Sequence, residues 1–446
     1  MSRSWLGVLF ALVVALPAYG VDPVSFRRDV APILVKQCQG CHGPEKSKAG
    51  YRLDSFDRLT KAGESKAPPV VAGQPDKSNL FHLISTDDED DRMPQKADPL
   101  PAAHVALIRR WIDEGAKFDG PDAGAALTSL VPVQVHPAPP GTYRYPMPVT
   151  ALALSLDGKV LAASGYNEVT LWDPADGRLL GRIKRVAERT YGLAFSPDGK
   201  TLAVAGGVPG TLGEVRLCDV ERRDAGRVLE RIGDVMLAVR FSPNGKHLAA
   251  GGADNAVRVY ALPGGARELL IEQHADWVTD LAYSPDGSKL ASASRDRSAR
   301  VFDARTGAMQ AAFLGHEEAV FGVEWLPGGK TLASAGRDRK VRFWDAADAK
   351  EIGKATGLDA EPQKLLGGLG MIFCATSNGS VRVYSAKSRD VEKTLAAPGD
   401  WAYCVAVDER AKRVMVGYHS GHIRVFDPDV AKPVKEFVAS PGFSGK

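Results

Sequence analysis

Beyond its first twenty residues the sequence has no apolar run of membrane-spanning length, so no later segment reads as a transmembrane helix. Cysteine is scarce: five residues in 446, too few for a disulfide scaffold in a chain of this size. Charge of one sign is not in excess either. Lys+Arg 57 against Asp+Glu 54 leaves a net +3, and neither half carries the basic surplus of a nucleic-acid-binding protein. At 44% hydrophobic and 25% charged residues the composition excludes wholesale disorder. Glycine, by contrast, is abundant at 46 residues, which implies many turns and many short strands. The length leaves room for two or three domains, or for one small domain and one large repeat domain.

Residues 1–20 read as a secretory signal peptide. Arg3 supplies a positive start, Trp5 to Leu16 an apolar stretch, and Ala18 and Gly20 the small residues that precede a cut, expected after Gly20. The apolar run is shorter than the ~20 residues of a membrane anchor, and no cysteine lies near the cut to carry a lipid. A periplasmic or extracellular chain with no membrane span after cleavage is expected.

A helical pattern follows, with Phe26, Val30, Ile33 and Leu34 on one face. It runs into Cys38-Gln39-Gly40-Cys41-His42, the C-x-x-C-H attachment signature of c-type haem. Two thiols three residues apart reach the two vinyl groups on one porphyrin edge, and the adjacent histidine supplies an iron ligand. A thioredoxin-like pair opens a helix after a strand, whereas this motif ends a helix. A zinc site would need a second ligand pair, and none follows within reach. For the second axial position Met93 is the best candidate. It is the only methionine between Met1 and Met147, about fifty residues past His42, and Pro94 stiffens its loop. A thioether is a soft ligand that raises the reduction potential. His82 and His104 are rivals that would give bis-His ligation. A last helix, with Val105, Ile108, Trp111 and Ile112 as its apolar face, ends near Gly115. The acidic run Asp87 to Asp91 reads as a solvated loop, a docking patch for a basic redox partner, or a calcium site.

This arrangement resembles class I cytochrome c, and more closely the planctomycete-type cytochrome c domain. The shared segments are DVAPILVKQCQGCHG, AGYRLDS, VVAGQPDKSNLFHLI, DRMPQ and LIRRWIDEGA, spread over roughly residues 24–118. The resemblance implies haem c attached at Cys38 and Cys41, with His42 and Met93 as the ligands of its iron. Gln95 departs from the usual second proline after M-P.

A segment rich in proline and alanine, residues 119–147, reads as a linker. Beyond it the turn residues Gly158, Gly199, Gly245, Gly287, Gly329 and Gly370 recur 41, 46, 42, 42 and 41 apart, and Ala411 falls 41 later. An aromatic or cysteine ends a strand in each unit: Trp172, Cys218, Tyr260, Phe302, Trp344, Tyr384 and Phe426. Seven units of about 42 residues with S-P-D-G turns and V-R-F-W-D-type strands resemble a WD-repeat propeller over residues 148–442. His316, Ser334, Asp338 and Trp344 fit the hydrogen-bonded set of WD blades, and His274, Ser292 and Asp296 fit it with Phe302 in place of tryptophan. The ring would close through a last strand near Lys435 to Ala439, or through Val131 to Val135. Cys218, Cys374 and Cys404 read as buried thiols, with a Cys374–Cys404 bridge as the alternative.

The expected protein is thus multi-domain: a signal peptide at 1–20, a small all-α cytochrome c domain at 21–118, a linker at 119–147 and an all-β seven-bladed propeller at 148–442. An electron carrier is expected, with one covalent haem and a propeller that docks a redox partner. The alternatives are an oxidoreductase whose propeller feeds electrons to the haem, and a haem-based sensor or scaffold. No catalytic residue is assigned, since the sequence shows no nucleophile–base pair and no phosphate loop. The close pair His419 and His422 reads as turn residues, and the arginines of the R-D-R turns (Arg295, Arg297, Arg337, Arg339) as rim residues.

Overall fold

Ser25 starts the first helical segment because its hydroxyl accepts from the Arg28 N–H, capping a π-helical turn, Phe26–Val30, that continues as helix α1, Ala31–Gln37. The computed structural model describes residues 23–43, 47–95, 97–120, 122–130, 136–353, 355–396 and 399–443. The signal-peptide expectation for 1–20 and the strand expectation for 131–135 lie outside these. The chain divides into two compact units, Met1–Gln134 and Val135–Lys446.

In the first unit a break at Cys38 separates α1 from the single turn α2, Gln39–His42. Three further short helices follow, α3 Phe56–Leu59, α4 Asn79–Ser85 and α5 Ala102–Asp113, and then α6 Leu127–Leu130. The apolar faces converge: Phe26, Val30, Leu34, Ile108, Trp111 and Ile112 are all buried. Phe26, Phe56, Trp111 and Phe118 form an aromatic nest with ring centroids 4.7–6.4 Å apart. The Trp111 indole N–H donates to the Lys117 carbonyl at 3.0 Å, so its polar edge is satisfied inside the core.

The second unit holds seven four-stranded antiparallel sheets, each made of consecutive strands. They span residues 152–184, 189–232, 236–271, 278–313, 320–357, 362–395 and 402–438, and are called blades 1 to 7. First strands of successive blades are neighbours all the way round, including blade 7 to blade 1, so the ring is closed. The recurring turn glycine is required by its backbone, with φ of 74° at Gly158, 71° at Gly199 and 73° at Gly287, the left-handed region. In blade 7 that role moves from Ala411 to Lys412, with φ 51°. Second strands are built from small residues, such as Leu290-Ala-Ser-Ala-Ser294, and are buried along their length, which lets neighbouring sheets approach. The strand-ending residues Trp172, Cys218, Tyr260, Phe302, Trp344, Tyr384 and Phe426 are all buried between sheets. Blade 2 is longer because its second and third strands extend around Val208 and Leu212, which pair with each other.

Blade 7 is completed by its own fourth strand, Lys432–Val438. The seam between blades 7 and 1 is held by Val149 N donating to Tyr418 O at 3.0 Å and by Met147 N donating to Ser440 Oγ at 2.8 Å. The proline-rich stretch is not a free linker in either half. Ala126 bridges to Ser55, and Leu127 and Leu130 are buried in the helical core. His136 pairs with Glu214 of blade 2 at 2.9 Å, and the Tyr143 hydroxyl donates to Glu168 of blade 1 at 2.5 Å. Proline there restricts the chain, and the intervening apolar and aromatic side chains anchor it.

Candidate functional site

Helix α1 delivers Cys38 and α2 delivers Cys41 and His42 to one side of a half-enclosed cavity in the helical unit. Met93 lines the same cavity from a distant segment, held by its backbone N–H donating to Leu83 O of α4 at 2.8 Å. Its peptide bond to Pro94 is cis. Leu53, Leu80, Leu83, Ile84 and Leu100 supply apolar walls. The four residues singled out from the sequence are therefore brought together.

The histidine is aimed. Its Nδ1 lies 3.2 Å from the Tyr51 carbonyl oxygen, while Leu53 N donates to the His42 carbonyl at 2.9 Å. The Tyr51 ring packs edge-on at 5.5 Å from the imidazole, and its hydroxyl donates to Leu59 O at 2.9 Å. A protonated Nδ1 facing a carbonyl leaves Nε2 with its lone pair free, the tautomer that a metal-ligating histidine needs. Gly63 permits the loop behind Tyr51: a side chain there would meet the Ala49 carbonyl at 2.5 Å.

The thiols differ. Cys38 is partly buried, and burial pushes it up to about 12, whereas Cys41 is exposed. All five cysteines are free, so Cys374 and Cys404 form no bridge; both are buried, as is Cys218. His82 is exposed on α4 and His104 is half-buried on α5, and neither lines the cavity. The carboxylates of Asp87 to Asp91 all face solvent, and among the described residues no group of three or more His, Cys, Asp or Glu side chains is placed to hold a metal ion. The donor set itself, two thiols, one free imidazole nitrogen and one thioether around an apolar slot, fits a covalently attached haem.

In the propeller, His316 donates and accepts within a closed set: Nδ1 lies 3.0 Å from Asp338 Oδ2, Nε2 lies 2.8 Å from Ser334 Oγ, and the Trp344 indole N–H donates to the same Ser334 Oγ at 3.1 Å. His274 repeats it with Asp296 at 2.8 Å and Ser292 at 2.6 Å. His419 and His422 diverge, the first to the Tyr403 hydroxyl at 3.1 Å and the second to Ser420 Oγ at 2.9 Å. Arg295 lies over the Trp277 ring at 4.3 Å and Arg337 pairs with Glu361 at 3.2 Å, while Arg297 and Arg339 occupy turns with φ of 70° and 56°.

One feature has no sequence signature. In blades 2 to 7 the pairing of the first strand slips by one residue at the same place, leaving Tyr191, Leu237, Thr279, Phe321, Gln363 and Tyr403 as bulges. Bulges re-aim side chains, and the first five of these residues line one cavity of about 520 Å3 together with Trp277 and the charged Asp276, Arg295, Arg297, Glu318 and Arg337.

A small helical domain carrying a C-x-x-C-H cavity, joined to a seven-bladed all-β ring, defines a haem-binding protein with an interaction platform. Comparison with known families agrees. Residues 38–96 match the family described as planctomycete cytochrome C, and residues 232–261, 267–303 and 307–345 match the WD domain, G-beta repeat. The chain carries a planctomycete-type cytochrome c domain and a WD-repeat propeller. Among curated proteins it is similar to the uncharacterized WD repeat-containing protein sll1491 of Synechocystis sp., 33% identical over 122 residues, which is 26% of this chain and 33% of that one. It is also similar to WD repeat-containing protein VIP3 of Arabidopsis thaliana, 29% identical over 126 residues, 25% of this chain and 38% of that one. The similarity thus spans 33% of the first relative's length and 38% of the second's.

Proposed function

We propose that this is an exported electron-transfer protein in which Cys38 and Cys41 would attach one haem c, His42 and Met93 would ligate its iron, and the propeller docks a redox partner. When bound, the haem supplies reversible one-electron exchange between Fe(II) and Fe(III). The chain does the rest. The Tyr51 carbonyl keeps the Nδ1 proton of His42, presenting Nε2 to the cavity. Leu53, Leu80 and Ile84 exclude water from it, and the soft, neutral sulfur of Met93 favours the reduced state. The leader-like composition of residues 1–20 supports the export part of this reading.

The observation that carries this reading is the meeting of Cys38, Cys41, His42 and Met93, from segments fifty residues apart, on one apolar cavity. The test is the optical spectrum of the chain made in a host that attaches haem c. A low-spin spectrum with a methionine–iron charge-transfer band, lost in Met93→Ala, is the expected result. A high-spin spectrum, or a band indifferent to the substitution, overturns the ligand assignment.

A further inference from the structure

The cavity of the helical unit has a polar corner that the reading above does not use. Among the described residues that line the cavity there is no aspartate or glutamate, and Lys48 is the only lysine or arginine. Ser65 and Asn79 line it as well. None of these three side chains has a hydrogen bond or an ion pair with another described residue.

Backbone bonds build the corner. Lys48 opens a tight turn, Lys48–Gly50, in which Ala49 and Gly50 take φ of 51° and 64°. A left-handed alanine is strained, and such strain persists only where the surroundings impose it. Here Glu64 N donates to Ala49 O at 2.9 Å, which ties the turn to the segment of Ser65. Asn79 N and Leu80 N donate to the carbonyls of Pro68 and Pro69 at 3.0 Å, which ties that segment to the start of α4. The Glu64 side chain lies over Gly50, where a Cβ would stand 3.2 Å from its Cγ, and it does not line the cavity. Lys48 and Ser65 are exposed and Asn79 is half-buried, so the corner keeps contact with water.

Haem c would bring two carboxylates as well as its iron. Thioethers to Cys38 and Cys41 would fix one edge of the porphyrin, and the carboxylates project from the opposite edge. A carboxylate in an apolar slot must be met by a donor or by water. The leucine and isoleucine walls offer neither. Lys48 offers a charge and three N–H donors, Ser65 a hydroxyl and Asn79 an amide. None of the three stands on α1 or α2, the helices that deliver the thiols. Of the other amides on the lining, Gln37 adjoins Cys38, and Gln95 donates to Asp90 O at 3.4 Å.

We propose that Lys48 is the counter-ion of a haem carboxylate, flanked by Ser65 and Asn79 as further donors, and that it raises the reduction potential; this rests on the haem c reading above. Oxidised iron carries one more positive charge than reduced iron, so a cation held nearby disfavours the oxidised form. Without Lys48 the charge of the carboxylate is uncompensated and acts in the opposite sense.

The test is a spectroelectrochemical titration of the full, haem-loaded chain beside Lys48→Gln, Lys48→Arg and Lys36→Gln. Lys36 is exposed on α1, next to Gln37, and does not line the cavity, so it reports what a nearby charge does without a partner. Lys48→Gln is expected to shift the one-electron equilibrium at least about threefold toward the oxidised form, with the methionine–iron band retained. Lys48→Arg should restore most of that shift, and the solvent-screened Lys36→Gln should move the equilibrium by less than about 1.5-fold. A Lys48→Gln potential no lower than that of Lys36→Gln overturns the proposal, as does a Lys48→Arg variant that recovers none of the shift. Should Lys48→Gln fail to take up haem, lysine acetylation of the unsubstituted, haem-loaded chain decides. Lys48 is then expected to react at least about threefold more slowly than Lys36 and Lys77, which are exposed like it, and equal rates overturn the proposal. A chain that attaches no haem overturns the haem c reading itself, whereas an intact methionine–iron band beside an unmoved potential overturns this proposal alone.

Discussion

Two histidines of this chain show how one residue type acquires opposite roles. His316 has both ring nitrogens engaged, by Asp338 and Ser334, and is buried; it is a structural strut. His42 has one nitrogen engaged, by a backbone carbonyl, and the other free beside a cavity. Engagement of the second nitrogen, not the residue type, decides what a histidine can do. His316→Ala is expected to destabilise the propeller by about 3 kcal/mol, because Asp338 and Ser334 are then left buried and short of a partner. Denaturant unfolding measures it, and a double-mutant cycle with Ser334→Ala should show clear coupling, since the two share one bond. Additive losses would refute the strut.

At the scale of elements the proline-rich segment 136–147 acts as a strap over the first blades. Glu168 is fully buried and accepts from Tyr143 and from Arg182 at 2.5 Å each, and Arg182 in turn donates to the carbonyls of Pro140 and Gly141. Removing Arg182 strands a buried carboxylate and frees the strap together. Arg182→Met is expected to cost about 3 kcal/mol and to open residues 136–145 to limited proteolysis before the blades unfold. A cleavage pattern like that of the unsubstituted chain would show that the strap does not depend on Glu168. The blades themselves were legible in the sequence because their signals recur in phase: a glycine every 42 residues or so, and the set His274, Ser292 and Asp296 repeated at the same offsets as His316, Ser334 and Asp338. The C-x-x-C-H motif was legible because its chemistry is compressed into five residues. The strap was not, since proline and alanine look alike whether a segment is free or pinned, and its anchors are single side chains. The partner of His42 was hidden for another reason: it is a backbone carbonyl, which every residue has. Arg240 and Glu324 stand three residues past the bulges of their first strands, and Asp280 and Lys364 one residue past theirs, but charges of opposite sign at a shared position read as no motif, and the packing of successive first strands gathers them.

At the scale of the whole molecule, the ring depends on carboxylates that must stay ionised, and this sets its response to acid. Burial alone would raise Glu214, but hydrogen bonds from His136 and Arg216 and their charges hold it down to about 2, from 4.5. Asp296 and Asp338, buried against the blade histidines, are lowered as well. As pH falls, the unfolded chain therefore takes up protons before the folded one does. The stability from Glu214 is complete above pH 4.5, declines below it, and is gone once pH has passed through about 2. Its size is about 3 kcal/mol, as an order of magnitude, because the group is almost fully enclosed. Denaturant unfolding at neutral pH and at successive steps from pH 5 to pH 3 should thus show a falling midpoint. Glu214→Gln removes the titrating group: it is expected to be less stable at neutral pH and to lose less on acidification than the unsubstituted chain. A parallel decline in both would place the acid response elsewhere, on Asp296 and Asp338 of the blade sets, and His136 would then serve to anchor the strap rather than to hold Glu214 ionised.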